Sequence, residues 1–149
     1  DIPTVVFVKA QEKKKSRKDF PIYHILGKRL IKGEVGLELE VEGTNIPQQL
    51  TGMQWGVVRD GSLRGAENAE YVLNNPLSFD KAIAAVDDLF KQLADNKAQL
   101  DESNRTSVHV HLNVQEFYAN RLTALMALWT TFEDVLAHWS GEHRVGNLF

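Results

Sequence analysis

Two short stretches carry the residue types that metal and phosphate chemistry uses. In "EVGLELEVEG" (residues 34–43), Glu34, Glu38, Glu40 and Glu42 share one side of a strict alternation, and Val35, Leu37, Leu39 and Val41 share the other. In "SVHVHLNV" (107–114), Ser107, His109, His111 and Asn113 alternate with Val108, Val110, Leu112 and Val114. Hard carboxylate oxygens with one or two imidazoles suit Mg²⁺ or Mn²⁺. Each pattern also has a plainer reading. E-x-E in a strand is ordinarily a water-facing surface, and H-x-H can be two hydrogen-bonded imidazoles on a half-exposed face. The two together say more, because Glu38, Glu40 and both histidines point away from apolar faces that must be buried. Glu34 and Glu42, at the ends of the strand, are expected to be solvated.

Between them runs "WGVVRDGSLRGAENAEYVLNNPL" (55–77). Asp60-Gly61-Ser62 reads as a tight turn in which Asp bonds its own downstream backbone. Glu70 opens a short strand and can project onto the same polar face, whereas Glu67 reads as an idle carboxylate in a loop. Arg64 and Arg105 flank this region on loops. Each can pair with the acidic strand or hold a phosphate through its planar donor fork.

The elements that must position these residues follow from the apolar period. "TVVFV" (4–8) reads as a first strand, "IYHIL" (22–26) as a short strand, and 34–42 as a strand closed by Gly43. "QWGVV" (54–58) and "EYVL" (70–73) are further strands, separated by the turn signal "DGSLRG". From Phe79 the period becomes helical, with Ile83, Val86, Phe90 and Leu93 on one face and Ser78 as N-cap. Phe117 to Trp139 reads as a second helix, with Leu122, Leu125, Trp129, Phe132 and Leu136 on one face. The fold class is α+β: an antiparallel sheet with helices packed on one face.

The chain has 149 residues, so a single domain over 1–149 with its own core is expected. It has no cysteine, which excludes disulfides and thiolate metal sites. No apolar run has the length of a membrane span, and "DIPTVVFVKA" lacks a signal-peptide layout. With no initiator Met and an end at "GNLF", a processed or partial chain is an expectation. Net charge is −3, yet residues 9–32 hold Lys9, Lys13, Lys14, Lys15, Arg17, Lys18, Lys28, Arg29 and Lys32. The run within 9–19 reads as a solvated mobile loop, with a phosphate or other polyanion as the alternative contact. It has no interleaved aromatics, which argues against a single-stranded nucleic-acid platform.

The order "GLELEVEG", then W-x-V-x-x-DGSL, then E-Y-V-L-x-x-P, then "HVHLNV" resembles the amidoligase family. Those proteins belong to the glutamine-synthetase-like carboxylate–amine ligases, and many are phage-encoded. The resemblance runs from about Glu34 to Asn147. It implies ATP as cofactor with Mg²⁺ or Mn²⁺, and carboxylate and amine substrates that are small molecules or peptides. It assigns Glu38, Glu40, Glu70 and His109 as metal ligands, with His111 turned to phosphate or supporting the ligands. Asp60 would lie near a substrate, and Arg144 and Asn147, in "HRVGNLF", would contact phosphate or substrate. It also implies a cytoplasmic protein, or a virion component if phage-encoded.

Family members continue past the R-x-x-N element with another strand, so the resemblance implies that a missing C-terminal segment or a partner chain completes the site. The alternatives are a non-catalytic structural or interaction protein that uses the basic segment 9–32, and a metal-dependent hydrolase.

Overall fold

In β1 (Val35–Thr44) every second side chain is apolar, and a strand with that pattern is stable only if one face is covered. The computed structural model describes residues 20–59 and 61–141. Strand 4–8, the basic loop 9–19, Asp60, Arg144 and Asn147 lie outside the described residues. The structure divides into two units, each described by itself.

The unit Ile31–Asn113 holds an open antiparallel sheet. β1 is flanked on one side by β3 (Glu67–Leu73), and β3 in turn by β2 (Trp55–Val58). On its other side β1 pairs with β5 (Ser107–Leu112) along its first half and with the two-residue β4 (Gln99–Leu100) at its end. A helix, α2 (Phe79–Asp95), packs against β1. The protein is thus α+β, with an open antiparallel sheet and helices.

The core lies between α2 and the sheet: Val35, Leu37, Leu39, Val41, Trp55, Ala69, Tyr71 and Leu73 meet Ala82, Ala85, Leu89 and Leu93. The stripe that α2 buries is rotated from the expected one. Leu93 is buried as expected and Val86 partly so, but Ile83 and Phe90 are each half exposed, and Ala82, Ala85 and Leu89 take the contact instead. Trp55 and Tyr71 are buried in the same core, which the helix meets through Ala82 and Ala85 as well as Leu89 and Leu93. The Trp55 indole N–H donates to the Ala85 carbonyl at 3.0 Å, which fixes that approach. Ser78 does occupy the N-cap position but makes no side-chain cap bond. Glu34 supplies the acceptor, its Oε2 standing 3.2 Å from the Phe79 N–H, where a carboxylate also favours the helix dipole.

Two further expectations are corrected in this unit. The apolar face of β5 is not buried: Val108, Val110 and Leu112 are 63%, 58% and 59% exposed. Glu67 is not idle in a loop, since it opens β3 and its Oε2 accepts the Ile46 N–H at 2.8 Å.

The second unit holds α1 (Ile22–Leu26) and α3 (Ala119–Trp139). "IYHIL" is therefore a helical turn and not a strand. Pro21 enters it extended, and Gly27 closes it in the left-handed region with φ 65°, its N–H reaching the Tyr23 carbonyl. The first helical N–H groups have no partner within so short a helix; those of Ile22 and Tyr23 donate to the carbonyls of Phe117 and Gln115 at 2.8 and 2.9 Å. Five residues with Ile22, Ile25 and Leu26 apolar fit a helical turn as well as a strand. In α3, Leu122, Leu125 and Leu136 are half buried, and Trp129 and Phe132 are exposed.

The rotated stripe on α2 is testable by comparing two truncations. Leu89, fully buried, should lose about 2–5 kcal/mol of stability on change to Ala, by denaturant unfolding. Ile83→Ala should cost less than about 1 kcal/mol; equal losses would restore the face read from the sequence.

Candidate functional site

Strand register decides which polar side chains meet. Glu38 of β1 is opposite His109 of β5, Gly36 is opposite His111, and Glu40 is opposite Ser107. On the other side Glu40 is opposite Glu70 of β3, and Glu42 is opposite Asn68. Directly opposed residues of an antiparallel pair project to the same face. Glu38, Glu40, Glu70, His109 and His111 therefore share the face turned away from α2 and the core. At Gly36 the His111 Cβ lies 3.3 Å from where a side chain would begin, so the absent side chain leaves that imidazole room.

The geometry between these groups is specific. Glu38 holds both imidazoles: its Oε2 is 3.1 Å from His109 Nδ1 and its Oε1 is 3.2 Å from His111 Nε2. The other nitrogen of His109 stands 2.9 Å from the Ser107 hydroxyl and 3.9 Å from Glu40 Oε2. Ser107 in turn donates to Glu40. The hydrogen bond from His109 is the largest influence on the Glu38 carboxyl and, with His111, holds it below the ordinary value of 4.5 against the opposing effect of burial. Glu38 and Glu40 are mostly sheltered, and the imidazoles are about half exposed, which leaves the site open to ligands from solvent.

Glu42 was expected to be solvated and is instead buried. It accepts the N–H of Arg64, and contacts with the Gly65 N–H and the Ser103 hydroxyl help keep its carboxyl below the ordinary value despite burial. The alternation had placed it on the polar face correctly. The missing signal was the loop after β2, which folds back over that end of the strand.

Arg64 and Arg105 both lie on loops at this end. Arg64 is anchored through its main chain, and Arg105 Nη1 donates to the Ser62 carbonyl at 3.3 Å. Ser107 was legible as part of the polar face but not as the hydroxyl that joins Glu40 to His109. Among the described residues, no three His, Asp or Glu side chains converge as a ready metal-ligand group, and Glu38 is engaged with the two imidazoles. No helix among the described residues is long and apolar enough to cross a membrane.

Residues 26–147 match the family described as "Putative amidoligase enzyme". No curated protein and no solved structure matches the chain.

The lowered Glu38 carboxyl has a pH signature. A folded-state value below the unfolded one stabilises the fold above about pH 4.5, and this contribution is lost as pH falls through the lowered value. Urea unfolding of the wild type and of Glu38→Gln across this range should therefore show a stability gap that narrows in acid. A gap that is constant or widens in acid would contradict the pairing.

Proposed function

The chain belongs to the amidoligase family, a ligase-type assignment, and from that premise we propose that it is an ATP-dependent carboxylate–amine ligase, or part of one, working on the acidic face of the sheet. The observation that carries the reading is the register that sets Glu40 between Glu70 and Ser107, and Glu38 opposite His109. Like charges directly opposed across a strand pair are destabilising, and a divalent cation would offset that cost. The donor set fits Mg²⁺ or Mn²⁺: three carboxylates and an imidazole, with no sulfur ligand. Glu38, Glu40, Glu70 and His109 would hold the ions once Glu38 turns from its imidazole partners.

Forming an amide from a free carboxylate requires activation. A carboxylate oxygen displaces ADP from the γ-phosphorus of ATP, and the amine nitrogen then displaces phosphate from the acyl carbon, losing a proton. A divalent ion, when bound, neutralises charge on the triphosphate. The remaining work falls to the protein: to orient the phosphates and keep water out. Arg64 and Arg105 are proposed to bind the polyphosphate. His111, freed from Glu38, is proposed to accept the amine proton at Nε2. Asp60, Arg144 and Asn147 are proposed substrate or phosphate contacts. The finer fold that goes with this chemistry is a glutamine-synthetase-like catalytic sheet, completed by a further segment or a partner chain. Its use of ATP fits the cytoplasm of a cell or of a phage-infected host.

Calorimetric titration of Mn²⁺ with ATP into the wild type and a Glu38→Gln, Glu40→Gln double variant tests this. Mutating even outer partners of a metal site costs about 10–100-fold, so removing two ligands should weaken binding by more than about 100-fold. The circular dichroism of the variant should stay that of the wild type. Equal affinity in both proteins, or none in the wild type, contradicts the proposal.

A further inference from the structure

The proposed site leaves one carboxylate of the acidic strand without a task. Glu42 lies two residues beyond Glu40 on the same face and is only 5% exposed. A buried carboxylate is costly unless several donors satisfy it, and those around Glu42 come from two separate loops. From the loop after β2 it accepts the Arg64 N–H and lies against the Gly65 N–H. From the loop before β5 it meets the Ser103 hydroxyl, and the Asp101 N–H donates to its main-chain carbonyl at 2.9 Å. Ser103 Oγ also accepts the Arg105 N–H at 3.1 Å, and Arg105 reaches across to the Ser62 carbonyl. Gly65 has no room for a side chain, since a Cβ there would stand 2.8 Å from the Glu42 Cβ.

Resting on the function proposed above, we infer that Glu42 is a positioning residue that ties the Arg64 and Arg105 loops to the end of the acidic face, where both guanidinium groups serve a bound polyphosphate. Glu42 does not touch the ligand. It acts through the two arginines by fixing the main chain on which each is carried, and it lies beyond the metal-ligand set. Such supporting contacts decide how well a binding group is held.

The test is a thermodynamic cycle read with two probes, Mn²⁺ alone and Mn²⁺ with ATP. Glu42→Gln should weaken Mn²⁺–ATP by about 10-fold, in the range for outer-shell losses, and leave Mn²⁺ alone unchanged. In an Arg64→Ala, Arg105→Ala background the same change should add less than about twofold, because the groups it positions are gone. Gly65→Ala, which crowds Glu42, should repeat the pattern and serves as the second variant should Glu42→Gln misfold. A full additive loss in the triple variant, an equal loss of Mn²⁺ alone, or unchanged ATP affinity overturns the inference.

If the wild type binds no Mn²⁺–ATP, that failure belongs to the proposed function, and amide hydrogen exchange then decides the role of Glu42. Glu42→Gln should speed exchange at Arg64 and Gly65 by more than about 10-fold while β1–β3 amides keep their protection. Unchanged exchange at those two amides overturns the positioning role on its own.

Discussion

The pairing of β1 on both of its edges is the constraint from which the rest of the molecule follows. Its ten residues meet β3 on one side and β5 and β4 on the other. Because side chains alternate, a slip of one residue would send Val35, Leu37, Leu39 and Val41 to the polar face and the glutamates into the core. Burial of four aliphatic side chains, each about 1.5–3 kcal/mol, outweighs any surface charge interaction and fixes the register. With the register fixed, Glu38 must face His109 and Glu40 must face Glu70. The chemistry of the polar face is therefore set by packing on the opposite face.

Four glutamates on one strand would repel if all were merely solvated, and each has a different resolution. Glu34 caps α2, Glu38 joins two imidazoles, Glu40 accepts from Ser107, and Glu42 gathers loop main chain. These contacts differ in kind from the exposed Lys91–Asp95 pair at 3.0 Å, an i,i+4 surface pair that solvent screens. The strand's two ends are structural and its middle is open to solvent ligands. That division suits a binding face whose rim must stay in place while its centre changes partners.

Much of this was legible in the sequence, for a physical reason. Strict period-two alternation survives folding, so the contents of both faces of β1 and β5 could be read directly from residues 34–42 and 107–112. What the alternation could not show was cover. Whether a polar position meets water or a loop depends on distant chain, and so Glu42 was misjudged. The same ignorance of cover hid the exposure of Val108, Val110 and Leu112. The stripe on α2 was misread in part because alanine carries little hydrophobic weight, although Ala82 and Ala85 are both buried in the core. The turn at Ile22–Leu26 is too short for its period to separate helix from strand. The two-residue β4 leaves no pattern at all.

A divalent ion is proposed to sit among Glu38, Glu40, Glu70 and His109. Paramagnetic broadening by sparing additions of Mn²⁺, followed by NMR, tests it most directly, because the effect falls off steeply with distance from the ion. With the ion at that site, the His109 ring signals and the amides of Glu38, Glu40 and Glu70 broaden first, followed by His111. Broadening centred instead on Asp87, Asp88 and Asp95 of α2, or spread evenly over acidic surface positions, would contradict it.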